Sequence, residues 1–292
     1  MDVVVIGNAG VDTCVYLAGE RIDETVEANF TLNLDAVGQA GGYASRGYAA
    51  LGYATAFIGA LGADPAGDLV RAQLSEAGVD VRGVFLDPQG TARSINLVFP
   101  DGRRKNFYDG KGHMTLVPDP ATLAPILDGV RLAHVHIPNW ARRVLPLLRE
   151  RRIPIAVDLQ DVVSADDPYR ADFVDAADIV FFSAVNHPDP APLMRAYWSR
   201  NPRLIQIAGM GARGCARGQD GVVTFHQPPQ LDWPVLDTNG AGDALAVGYL
   251  AASVLDGHGP ERALRWGQIA ARRTCAQRVP KRALARKSDL GG

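Results

Sequence analysis

Short, continuously apolar runs recur along this chain with helix-patterned stretches between them, and that rhythm constrains its fold more than any other feature. The runs fall at residues 3–6, 55–58, 133–137, 153–157, 179–182 and 204–207. Between them, Ala- and Leu-rich stretches with helical character lie at 43–50, 67–77, 142–151, 192–199, 241–255 and 261–277. A strand open to water on one face alternates polar and apolar residues, and these runs do not. Strands buried on both faces and separated by helices predict an α/β fold with a mainly parallel sheet covered on each side.

Two regions break the rhythm. Residues 13–37 scatter Tyr16, Ile22, Val26, Phe30, Leu32 and Leu34 among polar residues without a helical period. From Thr91 to Tyr108 the chain reads as an alternating strand, an Asp101-Gly102 turn and a second strand, which is a hairpin pattern. Both pieces, at about 13–37 and 91–110, are predicted to leave the main sheet and join in a small β-sheet lid inserted into one domain spanning 1–292. Such a lid has unpaired edges and an apolar face, which suits a homodimer pairing two lids.

Composition narrows the partners. With 292 residues, 47% hydrophobic and 21% charged, the chain can bury a substantial core. A net charge of −2 gives no overall attraction to nucleic acid or to an anionic membrane. Two basic groups, Arg142, Arg143, Arg149, Arg151 and Arg152, and Lys281, Arg282, Arg286 and Lys287, read as solvated helix faces or a tail. The cysteines Cys14, Cys215 and Cys275 show neither a disulfide framework nor zinc spacing. The chain opens in a strand without a basic leader, and no apolar run reaches the ~20 residues that span a bilayer. A cytoplasmic protein is expected.

The chemistry concentrates at Asp237-Thr238-Asn239-Gly240-Ala241-Gly242-Asp243, which runs directly into the apolar helical stretch from Ala244 to Leu250. Amides at a helix N-terminus are unpaired and carry partial positive charge, and glycines let an anion approach them. A carboxylate there repels a phosphate that merely binds. It fits if Asp243 takes a proton from a hydroxyl that then attacks the phosphate. A lone Gly-Ala-Gly-Asp would be no more than a capped helix start.

Other candidates are weaker alone. Gly7-Asn8-Ala9-Gly10-Val11-Asp12 follows the first strand, and Asp12 is placed to accept hydrogen bonds from a polyol or to close an ordinary turn. Gly209-Met210-Gly211-Ala212-Arg213-Gly214 is a turn or an anion loop after another strand, without the Gly-Lys-[Ser/Thr] of a Walker loop. His134 and His136 share one strand face, but no third ligand is visible nearby, so packed or hydrogen-bonded histidines outrank a metal pair.

The seven residues at 237–243 resemble the C-terminal signature of the PfkB (ribokinase-like) carbohydrate kinases, Asp-Thr-x-Gly-Ala-Gly-Asp. Gly38-Gln39-Ala40-Gly41-Gly42-Tyr43 and the following Leu61-Gly62-Ala63-Asp64 resemble that family's N-terminal signature. The resemblance covers most of the chain. It implies a ribokinase-like three-layer α/β/α sandwich with a lid, and ATP-dependent phosphorylation of a hydroxyl on a small sugar or sugar-like substrate. Asp243 is then the catalytic base, with the amides of Gly240, Ala241 and Gly242 as the anion hole. Asp12, Asn8, Gly41, Gly42 and Tyr43 would hold the acceptor. Gly211, Gly214, Thr238 and Asn239 would face ATP, with Mg²⁺ as its counter-ion. Asp237 would hold a monovalent cation, K⁺, as in some relatives.

Several positions depart from the family. Counted without gaps from Leu51-Gly52, Tyr43 stands where the family usually has a substrate-binding Asn, and Gln39 replaces the second glycine of the Gly-Gly pair. With a gap, Gly41-Gly42 is the pair instead. Asp158-Leu159-Gln160 replaces Asp-x-Asn, and Ser183 and Asn186 stand in for Asn-x-x-Glu, so Mg²⁺ is expected to be held mostly by ATP phosphates and water. Arg103 and Arg104 at the hairpin tip could meet a sugar phosphate or a carboxylate, although a solvated tip is the expected role for at least one of them. Asn106-Phe107-Tyr108 is reminiscent of fructokinase relatives. A nucleoside kinase is the alternative, favoured by Asn8, Asp12 and the 237–243 motif, with Tyr43, Tyr16 or Phe107 as an aromatic slot. A non-catalytic ligand-binding protein on the same scaffold is the third reading, opposed by the intact Asp243 motif.

Overall fold

The computed structural model describes residues 1–279 and 284–291. Lys281 and Arg282 of the basic tail lie outside them. The strands, in chain order, are β1 (Val3–Ile6), β2 (Gly10–Leu17), β3 (Thr31–Gly38), β4 (Thr55–Leu61), β5 (Asp80–Leu86), β6 (Arg93–Val98), β7 (Arg104–Asp109), β8 (Leu132–Val135), β9 (Ile155–Asp161), β10 (Ile179–Ser183), β11 (Ile205–Gly209), β12 (Cys215–Gln219) and β13 (Val222–His226). The helices are α1 (Gln39–Ala50), α2 (Pro65–Glu76), α3 (Pro120–Leu123), α4 (Leu145–Glu150), α5 (Ala171–Ala176), α6 (Ala191–Arg200), α7 (Ala241–Leu250), α8 (Pro260–Cys275) and α9 (Lys287–Leu290). The stretch predicted as one helix at 241–255 widens into a π-turn over Ala251–Leu255.

Nine strands form the main sheet in the order β13-β12-β11-β10-β9-β8-β1-β4-β5. Every pairing from β11 to β5 is parallel, and β12 and β13 add an antiparallel edge hairpin. Strand β1 shows why the apolar runs are continuous. Val3 and Val5 face a core shared with α1, α2, α7 and α8, whereas Val4 and Ile6 face the opposite core with Trp140, Leu148 and Phe173. The helices thus cover both faces, and the three-layer α/β/α expectation holds.

The chain leaves β1 outward through β4 and β5, then returns to β8 and runs the other way. This reversal places a crevice at the carboxyl ends of β1 and β8, where ligands of open α/β sheets gather. The second sheet, ordered β3-β2-β6-β7, comes from the two regions that broke the rhythm. It starts at Gly10 rather than near residue 13, because β2 follows β1 after only Gly7, Asn8 and Ala9. Leu32, Ile95 and Phe107 remain exposed on it. The basic run at 142–152 is partly spent in ion pairs, Arg142 with Asp172 at 2.6 Å and Arg149 with Asp178 at 3.1 Å. Among the described residues, no helix is long and apolar enough to cross a membrane.

Candidate active site

Helix α7 begins at Gly240, whose φ of 74° turns the chain from the 237–239 segment into the helix. Asp243 occupies the first turn, and its Oδ1 is buried with no hydrogen-bond partner among the described residues. Position along α7 is set by its crossing with α8. A Cβ on Gly248 would fall 2.7 Å from the Trp266 carbonyl oxygen, and one on Gly267 would fall 2.6 Å from that of Leu245. The two backbones touch, so α7 has little freedom to slide.

Asp12, on β2, is only 4% exposed. Its Oδ2 accepts from the Gln39 N–H and the Tyr43 hydroxyl, each at 3.2 Å, while its Oδ1 has no hydrogen-bond partner among the described residues. A side chain at Gly38 would put Cβ 2.1 Å from that same Oδ2, so the residue before Gln39 must be glycine. Burial raises the Asp12 carboxyl above the ordinary carboxylate range, opposed by hydrogen bonds from Gln39, Tyr43 and Ser94. Asp243 is held well above that range by burial first and then by the Asp158 charge, while Arg104 pulls it down. Asp158, at the end of β9, is raised by burial to about 6. Three acids therefore share the electrostatics of one cleft, with Arg104 from β7 as the cation acting on both Asp12 and Asp243.

Gln39 takes a φ of 60°, a conformation that glycine adopts without cost. Gly38 and Gln39 lie beside Asp12, which is where the ungapped count would put a Gly-Gly pair. Gly41 and Gly42, expected to touch the acceptor, lie within α1. The Gly41 N–H donates to the Asn8 carbonyl at 2.9 Å, and Gly42 packs on Ala9. The Asn8 side chain donates to the Tyr108 hydroxyl of the lid. Tyr43 is buried under Gly240, its ring 3.0 Å from where a Cβ there would lie.

The 237–239 segment also differs from expectation. Thr238 and Asn239, expected at the nucleotide, tie the loop to the lid. Thr238 Oγ1 donates to the Gly102 carbonyl at 3.2 Å, and Asn239 Oδ1 accepts from Arg104 at 2.9 Å. Both Asp237 carboxylate oxygens accept hydrogen bonds, Oδ2 from the Tyr16 hydroxyl and Oδ1 from the Asn239 N–H, each at 2.8 Å. Of the amides expected to form an anion hole, that of Ala241 turns back to the Thr238 carbonyl at 3.2 Å. Those of Gly240 and Gly242 have no backbone partner among the described residues. Gly211 and Gly214 bracket a turn after β11, both with positive φ, and Gly209 at its start packs against Leu245 of α7. Asn186 donates to the Val162 carbonyl at 3.2 Å.

Sequence reasoning undervalued Gln39, which carries two unpartnered polar atoms, and Gln160, which carries one. Gln160 also has a φ of 60°. Non-glycine residues held in this conformation concentrate at functional sites, but residue type alone does not disclose it.

A parallel α/β/α sandwich with an acid in the first turn of a helix beside a small lid defines a class of phosphotransferases. Comparison with known proteins agrees. The model of the pfkB family carbohydrate kinases matches residues 2–124. The acarbose 7(IV)-phosphotransferase of an Actinoplanes species is 34% identical over 282 residues, covering 94% of this chain and 92% of that protein. An ATP-dependent ribose-1-phosphate kinase of Halopiger xanaduensis is 28% identical over 284 residues, covering 89% and 90%. Among solved structures, a microbiome-derived acarbose kinase superposes with a TM-score of 0.88 at 27% identity, covering 99% of this chain and 97% of that one. The ribokinase of Arabidopsis thaliana in complex with ribose and ATP superposes at 0.81 with 20% identity, over 99% and 97%, a likeness of fold. The chain belongs to the pfkB family of carbohydrate kinases. It is a phosphotransferase with an alcohol group as acceptor and binds ATP.

Proposed function

We propose that the acceptor is a sugar or a sugar-like molecule of the pseudo-oligosaccharide kind, and that Asp243 is the base that activates its hydroxyl. The observation that carries this reading is a concentration of unspent polar atoms. Asp12 Oδ1, Gln39 Oε1 and Nε2, Gln160 Nε2 and Asp243 Oδ1 are all buried without a partner among the described residues. Buried polar atoms are normally paired, so several orphans on residues of the candidate site suit a ligand rich in hydroxyls. The name of the acarbose 7(IV)-phosphotransferase, at 34% identity, points to the same chemical class.

In this reading Asp12 and Gln39 accept and donate to acceptor hydroxyls and set which one faces Asp243. The proton of that hydroxyl passes to Asp243 Oδ1 while its oxygen bonds to the γ-phosphorus of ATP. The bond from that phosphorus to the bridging oxygen breaks, and ADP leaves. The Gly240 and Gly242 amides stabilise charge on the transferring group. The Gly211–Gly214 turn lies beside the donor nucleotide, and the lid excludes water. Three carboxylates against one arginine leave the cleft short of positive charge, which fits a cation entering with ATP. Mg²⁺ would supply that neutralisation, held mostly by ATP phosphates and water. A K⁺ ion beside Asp237 would draw on backbone carbonyls, since both carboxylate oxygens already accept hydrogen bonds.

The nucleoside alternative is less well supported. Of the three aromatic candidates, Tyr43 and Tyr16 are 8% and 7% exposed and committed to Asp12 and Asp237, which leaves Phe107 of the lid, 55% exposed, to offer a face to a base. The test is ADP release with Mg-ATP against acarbose-type pseudo-oligosaccharides, pentoses, hexoses, sugar phosphates and nucleosides, with Asp243→Asn as control. Turnover with a saccharide by the wild type alone is the expected result. Turnover confined to nucleosides, or undiminished in Asp243→Asn, overturns it.

A further inference from the structure

The two histidines read as an incomplete metal pair acquire a third neighbour in the fold. Strands β8 and β9 run parallel with His134 opposite Ala156 and Val135 opposite Val157. The same register brings His136 beside Asp158, one strand away, and His134 lies two residues back on the same face. One ligand atom from each of the three lies within 4.8 Å of the others. All three residues are buried, at 0%, 2% and 5% exposure for His134, His136 and Asp158.

The unspent nitrogens point inward. His134 Nε2 and both ring nitrogens of His136 are buried without a partner among the described residues. His134 Nδ1 is 3.2 Å from the Tyr48 hydroxyl. With Nδ1–H donating to Tyr48, Nε2 presents its lone pair to the cluster, the arrangement that outer hydrogen bonds impose on metal-bound imidazoles. The position of the His136 ring is also built in. A Cβ on Gly7 of the adjoining strand end would lie 2.8 Å from its Cδ2, so the ring occupies space that only glycine leaves.

We infer that His134, His136 and Asp158 form a binding site for one transition-metal dication of the Zn²⁺ or Co²⁺ type, beneath the cleft floor and distinct from the Mg²⁺ that accompanies ATP. Two imidazoles and one carboxylate suit such borderline ions, whereas Mg²⁺ prefers an all-oxygen shell. Tetrahedral bonds of about 2.1 Å set ligand atoms about 3.4 Å apart, so metal binding would draw the three together from separations of up to 4.8 Å. A water or an atom in the cleft completes the coordination. The inference does not depend on the kinase reading.

The experiment uses the full chain without an affinity tag, stripped with chelator and dialysed. Co²⁺ is titrated in while visible absorption and thermal stability are followed, and Zn²⁺ is then added as competitor. One equivalent of Co²⁺ with tetrahedral or five-coordinate absorption, displaced by Zn²⁺ but not by excess Mg²⁺, and a raised Tm are expected. His136→Leu and Asp158→Asn should lose the absorption and the Tm shift while their metal-free Tm shows them folded. Absence of Co²⁺ binding to folded wild type overturns the inference. So does binding that persists in both variants, which would place the ion elsewhere.

Discussion

Asp243 is held above its ordinary value of 3.8 by burial and by Asp158. The native state therefore binds that proton more tightly than the unfolded chain does. Its contribution to stability is present at low pH and is lost as pH rises from 3.8 through the folded value. Asp243→Asn removes the buried charge, so the variant is expected to melt above wild type near about pH 8 and to converge with it near about pH 4. The same change should lower kcat by roughly 10²–10⁴-fold, the range for loss of a positioned general base, while ATP binding persists. Thermal melts at both pH values with ADP-release rates check both halves, and near-normal kcat would remove Asp243 as base. Arg104 lowers the proton affinity of Asp243. Arg104→Gln should move the acid limb of the kcat–pH profile to higher pH, and an unmoved limb would show that Arg104 does not act on the base. Asp243 and Asp12 were legible because residue type and motif spacing carry their chemistry. Gln39 was not, because the sign of φ that lets it stand in for glycine is set by tertiary packing around Asp12.

Strands β1, β4 and β8 to β11 were readable because burial on both faces keeps each run mostly apolar, with only isolated polar residues such as His134 and Gln206. Strand β5 was missed at the sheet edge, where Asp80, Val81, Arg82, Val84 and Phe85 are only partly covered. Strands β12 and β13 were missed for the same reason, since Arg217, Gln219 and Thr224 interrupt them. Helix α7 was legible as a helix, but the contact that fixes its position was not. Gly248 and Gly267 lie 19 positions apart in sequence and reveal their role only when α7 and α8 cross. Gly248→Val inserts volume where a Cβ already meets backbone on the Trp266 carbonyl. It should cost about 1–3 kcal/mol of stability. The strain is relieved by moving α7, which carries Asp243 away from the acceptor. A fall in kcat larger than any rise in acceptor KM is expected, because misplacement of a reacting group acts on the transition state. Equal kcat in a destabilised variant would show that α7 shifts without carrying its first turn.

The lid sheet joins the main core at one end, where Val11 of β2 and Val37 of β3 pack with Val3 and Val5 of β1, and has a small core of its own at the other. The lid cluster of Cys14, Tyr16, Ala36, Val98 and Val279 is distinct from the two cores flanking the main sheet. Tyr16 joins them. Its hydroxyl donates to Asp237 Oδ2 at 2.8 Å and accepts from the Val279 N–H at 2.9 Å, so one oxygen connects the lid, the catalytic loop and the segment after α8. Arg104 to Asn239 and Thr238 to Gly102 add polar links between lid and loop. The far end of the lid and the 237–240 loop are thereby coupled by hydrogen bonds. Such bonds are geometrically demanding and break with little surface exposed. Tyr16→Phe leaves ring packing in place but takes one donor from Asp237 and the acceptor from Val279. A loss of about 1–3 kcal/mol is expected, or roughly 2–4 °C in Tm for each kcal/mol. If coupling keeps water out during transfer, the variant should also raise acceptor-independent ATP hydrolysis relative to acceptor phosphorylation. The ratio of ADP release without and with acceptor measures this directly. A lowered Tm with an unchanged ratio would make Tyr16 a stabilising strut only, whereas a raised ratio would locate water exclusion in the hydrogen bonds between lid and loop.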